Sequence, residues 1–258
     1  MKMLNDLFNH WLKVWHDNGQ MPMIQSVYGY LIILVELAFG MLLAHKMKIK
    51  WWKSLIILAV GYGLRALLNP LVYWIERGFE GNFSGGALTR IYLLLPVFYF
   101  IMFRLMRIDL KRGFDFVALG LMLLQGLAHI GCFLNGCCSG AYTDDGMWNH
   151  ARNAYTFPTP LYDGVLALVV FSVVFLLFAL NRWEGGGFLY PILLITHGIA
   201  RFIWDFFRVY EKLPCGLSTL QIWAIVLFAV GTAVLTLQII LYVKECRAER
   251  EKRRKKRR

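Results

Sequence analysis

Residues 161–180 read LYDGVLALVVFSVVFLLFAL, a twenty-residue run whose one ionisable side chain besides Tyr162 is Asp163 near its start. A helix of this length covers about 30 Å, the thickness of a bilayer's hydrocarbon core. Backbone polar groups at that depth must be satisfied internally, so a crossing segment of this kind is helical. Working outward, further apolar runs occur at Tyr28–Leu43, Ser54–Trp74, Ala87–Phe103, Phe114–Leu134, Phe188–Phe207 and Thr219–Val243. Composition agrees. Of 258 residues, 58% are hydrophobic and 17% charged, and the mean hydropathy is +0.52. Soluble domains carry about 25% charged residues. Disorder, a fibrous repeat and a disulfide scaffold are excluded. The expected fold is all-α, a polytopic membrane bundle of about seven transmembrane helices.

Charge placement orients the bundle. Nineteen Lys and Arg fall on one side: Lys46, Lys48, Lys50, Lys53, Arg104, Arg107, Lys111, Arg112, Arg182 and ten in the tail from Lys244. Six fall on the other: Lys2, Lys13, Arg77, Arg152, Arg208 and Lys212. The positive-inside rule then expects a cytoplasmic C terminus and an outside N terminus. Trp51, Trp52, Trp74 and Trp183 suit an interfacial belt. The net charge of +12 reflects this topology. The basic tail reads as an anchor on anionic lipid, and no nucleic-acid partner is expected.

Three units are expected: an amphipathic outer-surface arm over 1–26, a membrane domain over 27–244 and a basic cytoplasmic tail over 245–258. In the arm, Leu4, Leu7, Phe8, Trp11, Leu12 and Trp15 follow helical spacing, as for an interfacial helix or a lid. The arm lacks the apolar core and cleavage site of a signal peptide. The five cysteines are Cys132, Cys137, Cys138, Cys215 and Cys246. Cys-x4-Cys-Cys lacks the Cys-x2-Cys spacing of tetrahedral zinc sites, so the cluster reads as small-residue packing in a tight turn. A disulfide among Cys137, Cys138 and Cys215 is the other reading. No metal or cofactor is expected.

Ionisable groups inside apolar spans carry the functional signal, because each costs about 2.5–3.5 kcal/mol at the bilayer centre. In the sixth span, His197, Arg201 and Asp205 are four residues apart and Arg208 follows three later, which stacks all four on one helix face. That face must turn to the bundle interior or to an aqueous cavity. Glu36 and Arg65 sit mid-span at similar depth, which allows a buried pair. His129 and Arg90 lie near the outer ends of their spans. His129 can serve as a general base or phosphate contact, or simply pack. Arg90 can bind phosphate or snorkel to the interface. The long connection Cys137–Pro160 shows no obvious element. Asp163 sits in the first turn of its helix, where capping explains an acid.

Three blocks in order resemble prolipoprotein diacylglyceryl transferases, a bacterial membrane family. Residues Ile130–Gly140 (IGCFLNGCCSG) are similar to its signature G-R-x-G-N-F-x-N-G-E and a later Gly. Pro158–Asp163 (PTPLYD) resembles P-[ST]-Q-L-Y-E, and Arg201–Arg208 (RFIWDFFR) resembles R-F-x-x-E-x-x-R. Leu217–Gln221 resembles the lead-in to the family's last span, and Tyr28-Gly29 matches the opening of its first. The likeness covers about residues 28–240. His129 stands at the signature Arg, Cys132 at its first Asn and Cys137 at its Glu. Pro160 replaces Gln, and Asp163 and Asp205 replace two Glu. Arg90-Ile91-Tyr92 stands where a His-Gly-Gly belongs, after Gly85-Gly86.

The resemblance implies seven spans in a bacterial plasma (inner) membrane, with the N terminus outside. It implies transfer of diacylglyceryl from phosphatidylglycerol to the lipobox cysteine of a prolipoprotein, without a cofactor. Catalytic roles then fall to His129, Arg201 and Asp205, and substrate contacts to Tyr28, Arg90, Asn135, Gly140, Tyr162, His197 and Arg208. His129, Asn135, Gly140 and Tyr162 are expected to converge with the sixth-span stripe on one cavity open to the outer leaflet. A non-catalytic relative that binds phospholipid or a lipoprotein precursor is the alternative, and a small transporter a further one.

Overall fold

The computed structural model describes residues 2–80, 88–180, 186–209 and 211–256, without the side chains of residues 2–4, 249 and 254–256. Trp183, Arg182 and Gly85-Gly86 lie outside the described residues. The chain is predominantly helical: α1 (Lys2–Asp17), α2 (Met21–Lys46), α3 (Trp51–Glu76), α4 (Leu88–Ile91), α5 (Leu95–Leu105), α6 (Leu110–Leu134), α7 (Thr159–Ala179), α8 (Leu189–Trp204) and α9 (Thr219–Lys256). Two strands, β1 (Tyr142–Asn149) and β2 (Ala154–Thr156), and a 3-10 turn at Asp205–Phe207 complete it.

Among the described residues, five helices are long and apolar enough to cross a membrane: α2, α3, α6, α7 and α9. Their outward faces expose Leu34, Leu42, Val169, Leu176 and Leu237, as a lipid-solvated bundle does. The remaining two expected spans are shorter or broken. Ala87–Phe103 is not one helix; the chain leaves α4 at Ile91 and restarts as α5 at Leu95, with Pro96 in its first turn. Proline lacks an N–H and disfavours helix at the residue before it, so the break belongs to the sequence. The sixth expected span is α8 extended by the 3-10 turn.

α6 is the central helix, and half of its apolar window is buried. The apolar core lies toward its Leu110 end, where Phe103, Phe116, Leu119, Phe178, Leu189 and Leu193 pack together. There Asp115, fully buried, accepts from the Gly187 and Leu189 N–H groups at 2.9 and 3.0 Å. It caps α8 from another helix, satisfying the open N–H of its first residue, Leu189, and that of Gly187 in the turn before it. Asp115→Ala should cost about 1.5–3 kcal/mol, the worth of hydrogen bonds to a charged group. A thermal melt in detergent should show the lower midpoint; an unchanged midpoint would remove Asp115 as the fastening of α8.

The opposite half of α6 meets α7 closely. A Cβ on Gly164 would stand 3.0 Å from the Gly126 carbonyl oxygen and 3.2 Å from the Ile130 nitrogen, so a larger residue would push the two helix backbones apart by a few tenths of an ångström. It brings Asp163, one residue before, beside His129 on α6.

The connection expected to lack structure is an antiparallel ribbon of β1 and β2. It carries α1. Asn9 of α1 donates to the Gly146 carbonyl at 3.3 Å and accepts from the Trp148 N–H at 2.7 Å. Lys13 donates to the Tyr155 hydroxyl at 2.7 Å and lies over the Trp148 ring. Leu12 is buried, while Leu7, Phe8 and Trp11 stay exposed. The arm is therefore docked on the ribbon, and α2 starts at Met21, inside the stretch read as arm.

Candidate active site

The expected single helix face is not kept. Only His197 and Arg201 lie on α8, Asp205 opens the 3-10 turn, and Arg208 has left the helix for extended backbone that bridges to Gly140. All four side chains are nevertheless buried. His197, Arg201, Asp205 and Arg208 are each at most 6% exposed. Arg201 Nε lies 3.1 Å from Asp205 Oδ1, one turn away. The second Asp205 oxygen accepts from the Ser218 hydroxyl at 2.9 Å. Ser218 opens α9 as a capping box: its Oγ accepts from the Gln221 N–H at 3.0 Å, and Gln221 Oε1 accepts from the Ser218 N–H at 2.9 Å. Asp205 thus fixes Arg201 and is itself fixed to the start of the last helix.

Asp163 is a hub that the sequence reading assigned to capping. Among the described residues its Oδ1 has no hydrogen-bond partner and its Oδ2 turns away from the start of α7. Instead Oδ2 lies 3.2 Å from His129 Nε2 and 3.4 Å from Arg208 Nη2, with Asp163 1% exposed. His129 Nδ1 lies 3.0 Å from the Gln125 carbonyl oxygen. Both ring nitrogens face acceptors, so the contact with Asp163 is attractive only with a proton held between the two groups. Three elements meet here: α6 through His129, α7 through Asp163 and the end of α8 through Arg208.

Arg90, in α4, pairs with Glu76 at 2.6 Å and lies over the Tyr73 ring at 5.1 Å. Glu76 also accepts from Trp223 Nε1 at 2.6 Å, tying α3 and α4 to α9. Thr89 Oγ1 lies 2.9 Å from His197 Nε2, and the Tyr92 ring meets the His197 ring edge-on.

These groups surround a cavity of about 770 Å³ lined by Arg65, Arg77, Arg90, Arg201 and Arg208 with Glu76 and Glu211. His129, His197, Cys132 and Cys138 also line it. The Cys138 thiol, beyond the end of α6, is pushed down by hydrogen bonds from Cys132 and Cys137, and next by the charges of Arg208 and Arg201. A second cavity, about 410 Å³ and almost wholly apolar, lies between α6, α7 and α8 against Met122, Leu166, Val170, Leu193 and Ile203. His197 lines both.

Other expected residues stand elsewhere. Asn135 caps the end of α6 and is exposed. Tyr162 stacks on Trp204 and leans on Phe157. The Gly140 N–H donates to the Phe157 carbonyl at 2.8 Å and its own carbonyl accepts from Arg152 at 3.2 Å, a backbone role. Tyr28 donates to the Leu127 carbonyl at 2.9 Å. None of the four lines the polar cavity, so the expected convergence holds for His129 alone. Nor is Glu36 ion-paired to Arg65 among the described residues; it accepts from the Tyr62 hydroxyl at 3.2 Å, because that neighbour one turn earlier reaches it first. All five cysteines are thiols.

Fold and site together define a multi-pass helical membrane protein with an arginine-rich cavity beside an apolar one. Residues 78–237, more than half of the chain, match the family described as prolipoprotein diacylglyceryl transferase, and the chain belongs to that family. Similar relatives include a phosphatidylglycerol–prolipoprotein diacylglyceryl transferase of Dehalococcoides mccartyi, 27% identical over 45% of this chain and 47% of the relative. The Clostridium tetani protein of that name is 30% identical over 39% of this chain and 42% of its own. One from another Dehalococcoides mccartyi strain is 25% identical over 69% and 72% respectively. The chain spans just under half the length of the first two.

Proposed function

We propose that this protein transfers diacylglyceryl from phosphatidylglycerol to the lipobox cysteine of a prolipoprotein, as its relatives are named for doing. The observation that carries the reading is the shared position of His197, between an arginine-lined cavity and an apolar one. A phospholipid has the same division. Its phosphodiester suits the arginines, and an acyl chain suits the groove between α6, α7 and α8.

In this reading the acceptor thiol gives its proton to Asp163 Oδ1, the carboxylate oxygen without a partner among the described residues, while His129 keeps the proton it shares with Oδ2. The thiolate so formed is the nucleophile. The sulfur attacks the glyceryl carbon attached to the phosphate oxygen. A C–S bond forms, the C–O bond breaks, and the electron pair leaves on glycerol phosphate. Arg201 and Arg208 stabilise that charge as it develops. Asp205 positions Arg201, and Glu76 positions Arg90.

The topology proposed with it has seven crossings, α4–α5 and α8 completing the five long helices. The N terminus lies outside and the basic C terminus in the cytoplasm of a bacterial inner membrane. The test is incubation of purified protein with phosphatidylglycerol and a lipobox peptide. A peptide heavier by one diacylglyceryl group is the expected product. Lipid binding without that increment would overturn the enzyme reading.

A further inference from the structure

The chain leaving α6 turns back on itself between Cys132 and Cys138. The Cys137 N–H donates to the Cys132 carbonyl at 3.1 Å, and the Cys137 thiol approaches the same oxygen at 3.5 Å. The residues flanking Cys137 both hold left-handed backbone, Gly136 at φ +67° and Cys138 at φ +60°. Glycine adopts that region freely; a cysteine does so against its own Cβ. The turn is also braced from outside. Buried Asn149 of β1 donates to the Gly136 carbonyl at 2.9 Å, and a Cβ on Gly136 would come within 2.8 Å of Asn149 and Ala151.

This turn brings three sulfurs within 4.8 Å of one another. Thiolates bind zinc at about 2.3 Å, which puts two sulfurs of one tetrahedral centre about 3.8 Å apart. Small side-chain rotations therefore close the three onto one ion. A disulfide needs two sulfurs at about 2.05 Å and gives no reason to turn a third inward at the cost of a left-handed cysteine. An all-sulfur donor set selects thiophilic ions over magnesium or calcium. Three thiolates around a divalent ion carry a net negative charge. Arg201 and Arg208, on the same cavity wall as Cys132 and Cys138, oppose it.

We propose that Cys132, Cys137 and Cys138 bind one zinc ion as three thiolates, with its fourth coordination position open to the polar cavity. Three protein ligands and an open position distinguish reactive zinc sites from closed structural ones. The spacing Cys-x4-Cys-Cys hides the site in the sequence, because the turn and not the interval supplies the geometry.

The test uses the full-length protein, purified in detergent under reducing conditions and loaded with zinc or, as a spectroscopic probe, cobalt(II). About one zinc per chain should be retained by elemental analysis. Cobalt should give intense thiolate-to-metal charge-transfer bands in the near ultraviolet. Added mercaptoethanol should shift the visible cobalt bands by filling the open position. Cys132→Ser, Cys137→Ser and Cys138→Ser should each lose the metal while keeping the parent's helical content and elution volume. Cys215→Ser should keep it. Any of three results would overturn the proposal: no retained metal in the reduced parent, full retention in Cys138→Ser, or a native mass about two daltons low with one reactive thiol among the three, which is a disulfide.

Discussion

Arg201→Lys should keep the fold and the positive charge and yet lose diacylglyceryl transfer by roughly 10- to 150-fold, equivalent to about 1.5–3 kcal/mol. Arg201 is buried, lines the polar cavity and is oriented through Nε by Asp205 at 3.1 Å. A planar guanidinium can hold a phosphodiester with two parallel hydrogen bonds while a carboxylate fixes its other edge. A Lys ammonium is a point charge and cannot do both. Asp205→Asn should lose less, because Ser218 still fastens that side chain from α9. Both variants, matched for membrane insertion, are compared with the parent in the phosphatidylglycerol assay. Arg201→Lys at parental rate would make Arg201 structural and move the phosphate contact to Arg90 or Arg208.

Asp163→Asn should have the largest effect of any single substitution at the site, although Asp163 acts from behind the cavity wall through His129 and Arg208. Asp163 faces His129 at 3.2 Å and Arg208 at 3.4 Å with almost no solvent contact. Removing its charge leaves Arg208 buried beside a neutral amide, and breaking a buried pair from one side costs about 3–5 kcal/mol. The His129 proton loses its carboxylate as well, so transfer should fall by about 10²- to 10⁴-fold, the range for general acid–base groups. His129→Gln separates the two effects. It should lose transfer by a similar factor but little stability, because the Asp163–Arg208 contact survives. Melting midpoints and single-turnover rates of the two variants, taken side by side, decide the matter. A parental melting point for Asp163→Asn would end the view of Asp163 as the hub.

Five of the seven expected spans were legible because burial in lipid leaves one signal, uninterrupted apolar length; the other two are a helix broken before Pro96 and the shorter α8. The burial of the sixth-span charges was legible because charge at depth is costly, but helical spacing aligns only His197 and Arg201; the helix ends at Trp204 and Arg208 is extended. What could not be read depends on contacts between elements. Asp163 looked like a helix-start acid, and only the Gly126–Gly164 approach shows that it belongs to His129. Glu76 drew no reading from the sequence, yet it anchors both Arg90 and Trp223. The ribbon was missed because β1 opens Tyr-Thr-Asp-Asp-Gly, without apolar alternation, and owes its pairing to β2 and α1. Asn135 matched a motif residue but serves as a helix cap, a role that shares the same local sequence.

The last helix has a consequence for how the protein meets its surroundings. α9 has 38 residues, about 57 Å at about 1.5 Å per residue. The hydrocarbon slab takes about 30 Å of that, and a tilt of about 20° absorbs only about 3 Å. Tyr242 still packs on Phe188, and Glu245 reaches Lys111 at 3.7 Å. Past that point the helix continues unbroken through Arg247, Arg250, Lys252 and Arg253. A flexible tail would lie flat on anionic headgroups. A rigid rod leaving the surface carries its far charges beyond the roughly 8 Å over which salt lets the lipid feel them. Arg247, Arg250, Lys252 and Arg253 therefore stand at fixed spacing along one straight helix and not on a flexible tail.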